Sequence, residues 1–221
     1  MSKTAKRNAM LVGIAGLALL LLSAFTVLRG TRQSATFEFP LAVGNSWLYT
    51  GTATYGQGDT ETTQTATGSI EIPRQLGVDT FQARLKGLIP DKMPQITTGT
   101  FVRDALGVIL NQRPEGRGSG FLIPKTLEVG QIFSLRLDSG DIVWFFLVHS
   151  VSESVQVPAG TFNDAIQLNF SLEGDTSGTR AKASGKIFLV SDIGIVMIEG
   201  IFNGGDIVGQ ASIQLSDYSV F

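Results

Sequence analysis

The chain has 221 residues, no cysteine, one histidine and a formal net charge of −2. The missing cysteines exclude disulfides, thiolate catalysis and Cys-ligated zinc or iron–sulfur sites, and one histidine is too few for the usual histidine-based zinc site. Five of the 17 basic residues and none of the 19 acidic ones fall in residues 1–32, so the remainder holds 12 against 19, a net of about −7 that opposes nucleic-acid phosphates and anionic headgroups.

The first predicted element is Ala9 to Leu28, AMLVGIAGLALLLLSAFTVL, twenty residues without a charge. A helix of that length crosses the hydrocarbon core of a bilayer. Lys3, Lys6 and Arg7 precede it and Arg29 and Arg32 follow, a bias that, with the free amino terminus, places residues 1–8 in the cytoplasm and the rest outside. Secretion after signal cleavage is the alternative. Against it, the run exceeds the usual h-region of about 7–15 residues and no A-x-A-like site closes it, Leu22-Ser23-Ala24 being the nearest approach. A lipid-modified lipoprotein is excluded, because there is no cysteine to acylate. Ala9 and Gly13 form one small-xxx-small pair, a common pattern in such helices.

Residues 29–38 read as a polar linker and residues 39–221 as one extracytoplasmic β domain. After the turn at Gly44-Asn45-Ser46, Trp47, Tyr49, Ala53 and Tyr55 alternate with Leu48, Thr50, Thr52 and Thr54, giving a strand with one aromatic and one threonine face. Ala66 to Ile72 repeats period two, and Pro73 is expected to end that strand. Phe81 to Leu85 is read as a strand, although Phe81, Leu85 and Leu88 also fit a helical face; residues 96–103 and 107–112 predict a hairpin. Arg113 to Gly120 is a glycine-rich surface loop. The Phe121-Leu122-Ile123-Pro124 run behind it cannot open the helix that a phosphate-binding loop requires.

Gln131 to Leu137 alternates, Asp138 to Asp141 turns, and Ile142 to Val148, IVWFFLV, is the most apolar run outside the anchor. Such a run predicts a strand buried on both faces, or one whose second face meets something apolar. Residues 166–172, 182–190, 194–201 and 207–215 supply four more strands, the last two joined through Asn203-Gly204, whose composition suits a hairpin turn with positive φ. The fold class is therefore all-β, an antiparallel meander forming a half-barrel, barrel or sandwich behind one transmembrane helix.

Chemistry is sparse. His149 would have to serve any serine triad, yet it sits within a strand and no Gly-x-Ser-x-Gly elbow exists. The pairs Asp138/Asp141 and Glu173/Asp175 flank turns without the spacing of a calcium loop. Asn169-Phe170-Ser171 matches a glycosylation acceptor but lies mid-strand. No catalytic residue, metal ligand or cofactor-binding residue is assigned. Trp47, Tyr49, Trp144 and Phe146 are the candidate contacts for an apolar ligand, with core packing as the structural alternative.

Several segments together resemble a group of bacterial exported domains without an established activity. They are Phe39-Pro40-Leu41 with residues 43–49, Ile123-Pro124 with Leu127-Glu128-Val129-Gly130, Val157-Pro158-Ala159-Gly160-Thr161-Phe162, Ile193-Gly194-Ile195-Val196, and Ser216-Asp217-Tyr218. More loosely, the pattern resembles the half-barrel of lipoprotein-carrier-like proteins, which implies an apolar face able to hold acyl chains. The expected function is a non-catalytic binding or interaction domain anchored in the inner membrane, possible protein partners lying in the envelope. The alternatives are a carrier or sensor of lipid and a tethered carboxylate-dependent hydrolase.

Overall fold

Period-two alternation becomes an almost uninterrupted succession of strands. The computed structural model describes residues 33–56, 61–87, 96–103, 105–111, 121–136, 143–176, 179–204 and 207–221; the predicted anchor, the 113–120 loop and the Asp138–Asp141 turn lie outside them. The strands are β1 (Ser34–Thr36), β2 (Ser46–Tyr55), β3 (Thr62–Gly77), β4 (Thr80–Lys86), β5 (Ile96–Arg103), β6 (Gly107–Asn111) and β7 (Phe121–Pro124). They continue with β8 (Thr126–Glu128), β9 (Ile132–Arg136), β10 (Val143–Val157), β11 (Gly160–Thr176), β12 (Thr179–Val190), β13 (Gly194–Gly204) and β14 (Ile207–Ser219). No helix occurs among the described residues.

Twelve strands form one antiparallel sheet in the order β7-β6-β5-β4-β3-β2-β14-β13-β12-β11-β10-β9, and β1 pairs with β8 as a separate ribbon. The exception to a simple meander is β2–β14, where Trp47 lies opposite Tyr218 and Thr52 opposite Ser212. The sheet is open, with β7 and β9 at its edges, so the closed-barrel alternative is set aside. Between those edges the chain makes only three-residue β8, which pairs with β1 instead of joining them.

Two other expectations are corrected. Pro73 does not end its strand; β3 runs on to Gly77. The last β2 partner is Glu71, opposite Ser46, and the β4 register jumps between Glu71 and Arg74, so Pro73 sits where no ladder bond is asked of it. The stretch read as linker also contains structure, since Ser34–Thr36 is β1 and Phe37 is buried.

Because connections alternate between the two ends of the sheet, the turns at 78–79, 105–106, 129–130, 158–159 and 191–193 share one end with the start of β2 and the close of β14. The core is sealed there. Residues Phe37 to Asn45 cross this end, burying Phe37, Phe39 and Leu41, with the Phe39 ring 5.3 Å from Phe101 and 5.2 Å from Trp47. Asn45 is buried and fully used: its amide donates to the Pro40 carbonyl (2.7 Å), its backbone carbonyl accepts from Ile72, and its side-chain oxygen accepts from the Phe221 N–H. Bulges along β10 and β11 bend that hairpin. Its tip meets β14, where the Ala159 N–H donates to the Leu215 carbonyl (3.1 Å) and Phe162 packs against Tyr218.

Candidate functional site

The four residues proposed as apolar-ligand contacts fall into two groups. Trp47 is completely buried and its indole N–H donates to the Ile193 carbonyl; Tyr49 is buried with its hydroxyl donating to the Ile195 carbonyl (3.0 Å), and burial pushes that hydroxyl's pKa far up. Both are core residues that fasten β2 across β14 to β13. Trp144 and Phe146 belong to a second aromatic group. Phe133 stacks on Phe146 at 5.2 Å, Trp144 lies parallel to Phe146 at 6.1 Å, and Trp144 meets Phe170 at 5.6 Å. Phe146 and Phe170 are buried, whereas Phe133 and Trp144 are half-buried.

The segments quoted for the resemblance all converge on the sealed end, around Trp47, the 123–130 stretch, the 157–162 hairpin, Ile193-Gly194 and Tyr218. Their contacts are structural. Gly194 adopts φ +107° beneath the Phe39 ring, where a Cβ would stand 3.0 Å from Cε2. Glu38 pairs with Lys125 at 2.6 Å, and this hydrogen-bonded lysine holds the carboxyl below its ordinary pKa.

The surface that sequence analysis did not single out lies on the opposite face of the sheet. Along one row of paired positions stand Phe145, Ser171, Ser184, Ile201, Gln210 and Thr54 on β10, β11, β12, β13, β14 and β2. Phe145 is 49% exposed and Ile201 61%, and only two serines lie between them. At about 4.8 Å per strand their backbones are about 14 Å apart, the walls of a furrow with a small-residue floor. Leu147 and Val208 are exposed beside them. Flanking rows carry the ion pairs Lys182–Glu173 (3.2 Å) and Lys186–Glu199 (3.6 Å). The furrow forms a groove of about 510 Å³, and beyond the Ile201 wall a second groove of about 550 Å³ runs toward β2; the two share Ser184 and Ile201.

His149 is four residues along β10 from Phe145, about 13 Å from the serine row at about 3.3 Å per residue. The backbones of Glu173 and Glu199 are two strands and two rows apart, about 16 Å on the same spacing. No group of three or more His, Asp or Glu that could hold a metal ion occurs among the described residues.

No protein-family model matches the chain, and no curated protein matches it. Among solved structures, a candidate exported protein with a YmcC-like fold from Bacteroides fragilis NCTC 9343 is similar at 14% identity and a TM-score of 0.56, over 84% of this chain and 100% of that one. A candidate lipoprotein from Parabacteroides distasonis ATCC 8503 is similar at 14% identity and a TM-score of 0.44, over 85% of this chain and 100% of that one. The first likeness establishes the fold: the large antiparallel sheet is of the YmcC-like kind.

Proposed function

We propose that the chain is a single-pass inner-membrane protein, N-terminus inside, whose extracytoplasmic domain binds a protein of the envelope and performs no chemistry of its own. The observation that carries this reading is the row from Phe145 to Ile201, which with Leu147 and Val208 keeps large apolar side chains in water on a face otherwise made of threonine, serine and paired charges. Apolar residues clustered on an exposed face are the usual mark of a contact surface. An exported relative in fold and an N-terminal apolar run support a location outside the cytoplasm.

Binding of an acyl chain by the half-barrel face is the second reading, favoured by the half-buried rings of Phe133 and Trp144. Hydrolysis by a carboxylate pair ranks third.

A photo-crosslinking phenylalanine analogue placed at position 201 in growing cells tests the protein-contact reading. The expected product is a discrete adduct that disappears when Phe145 is replaced by serine. Labelling at position 201 no stronger than at exposed Thr62, outside the furrow, contradicts it. Because Ile201 and Phe145 are surface residues, such changes alter stability by no more than about 0.5 kcal/mol.

A further inference from the structure

We propose that the second groove, on the β2 side of the Ile201 wall, is a binding site for a neutral saccharide chain, separate from the protein contact across the furrow. Its volume of about 550 Å³ falls within the roughly 300–1,000 Å³ of small-molecule sites. The groove runs between two rows of side chains on β12, β13, β14 and β2. Ser184, Ile201, Gln210 and Thr54 make one wall, and Lys186, Glu199, Ser212 and Thr52 make the other. The residues between the rows belong to the core face, so Gly185, Gly200 and Ala211 give the groove a floor of backbone. Two residues along a strand set the walls about 7 Å apart, and four strands give a length of about 14 Å.

The lining selects the ligand. Each of the four strands is paired on both sides at these positions, so no backbone edge is open to an added peptide strand and recognition falls to side chains. Lys186, the one cation of the lining, lies 3.6 Å from Glu199, so an anionic ligand finds no unpaired positive charge. A wholly apolar ligand finds a single large apolar side chain, Ile201. The remaining wall residues carry neutral hydroxyls or an amide, groups that both donate and accept hydrogen bonds. Thr54 shares such a bond with Thr63, and Ser212 accepts one from Gln214 (3.4 Å). Thr52, Ser184 and Gln210 make no side-chain hydrogen bond to another described residue, which leaves them open to a ligand. A sugar ring has the matching character, neutral hydroxyls around apolar C–H faces. The threonine methyls and Ile201, which is 61% exposed, meet those faces while the hydroxyls and the amide meet the rim.

The test uses the full-length protein in a detergent without a sugar headgroup. Chitohexaose and maltohexaose are titrated into it calorimetrically, and the same protein is sedimented with purified peptidoglycan sacculi. The expected result is saturable binding of at least one probe. Thr52→Val combined with Gln210→Ala should weaken it about tenfold or more, as the loss of two hydrogen bonds would. Gln210→Ala alone, at an exposed position, gives a smaller loss and serves if the double variant folds poorly. Binding of a hexaose without sedimentation identifies a soluble oligosaccharide as the source, whereas sedimentation identifies the wall polymer. No binding of any probe, or binding that the variants retain in full, overturns the proposal. Phe145→Ser should leave saccharide binding unchanged; its loss there would move the ligand into the furrow and also overturn the proposal. Crosslinking from position 201 does not depend on Thr52 or Gln210, so the protein-contact reading stands or falls separately.

Discussion

Replacing Trp47 with alanine is expected to cost about 3–5 kcal/mol, the range for deleting a fully buried large aromatic. The residue is 0% exposed, packs on Phe39 at 5.2 Å and supplies the indole N–H to Ile193. A domain of this kind holds only about 5–15 kcal/mol in all, so a fifth or more of its stability goes. Trp47→Phe separates the contributions. It keeps most of the apolar area but withdraws the donor from the Ile193 carbonyl, a loss of about 1–3 kcal/mol. Guanidinium midpoints followed by circular dichroism should fall in the order wild type, Trp47→Phe, Trp47→Ala. Equal midpoints for the two variants would mean the hydrogen bond carries the whole effect.

The second large effect concerns a glycine. Gly200 lies opposite Gly185, which lies opposite Phe170, and the Phe170 ring reaches over to Gly200. A Cβ on Gly200 would stand 2.7 Å from the Ser184 carbonyl oxygen and 3.0 Å from Phe170 Cζ. The ring can turn aside; the backbone oxygen cannot. Gly200→Ala is therefore expected to destabilise by about 1–3 kcal/mol, as overpacking does. This reverses the usual sign, since glycine to alanine at a tolerant site stabilises by about 0.4–1 kcal/mol. Gly51 is the control. Its nearest neighbours to an added Cβ are at 3.5 Å or more, so Gly51→Ala should be neutral or stabilising in the same denaturation series. A stable Gly200→Ala would show that β12 and β13 separate more readily than their pairing implies.

Much of the fold was legible because side chains alternate wherever one face is buried. Trp47 and Tyr49 against Leu48 and Thr50, and Leu168 and Phe170 against Asn169 and Ser171, announce strands without help from the rest of the chain. What period two does not encode is which strands pair over long distances. Nothing in Thr52 or Ser212 taken singly says that they lie opposite each other, yet the β2–β14 ladder organises the whole sheet. Pro73 misled because proline, which has no N–H, costs a strand only where a neighbouring carbonyl would need that donor, and the bulge beside it removes that partner. β1 escaped notice since three residues are too few for a period.

The proposed contact surface was half legible. IVWFFLV promised either a doubly buried strand or one whose second face meets something apolar. Phe146 and Val148 are buried while Phe145 and Leu147 remain exposed, which rules out the doubly buried strand. The other wall, Ile201, could not be connected with Phe145 from sequence, because the row joining them crosses four strands. Of the four residues that sequence reasoning selected, Trp47 and Tyr49 were conspicuous because they hold the core together, whereas Trp144 and Phe146 belong to the second aromatic group. The segments quoted for the resemblance are conspicuous for the same reason: they close the end of the sheet where packing and hydrogen bonds meet.

Binding through the furrow is the central claim, and a native mass spectrum tests it most directly. The full-length protein is extracted from its own membrane in mild detergent, alongside a variant carrying Phe145→Ser and Ile201→Ser. The account predicts a stoichiometric protein partner on the wild type and its loss from the variant, with both chains folded. A bare monomer in both samples, or a partner retained undiminished by the variant, would contradict it; bound lipid alone would transfer the function to the aromatic group around Trp144.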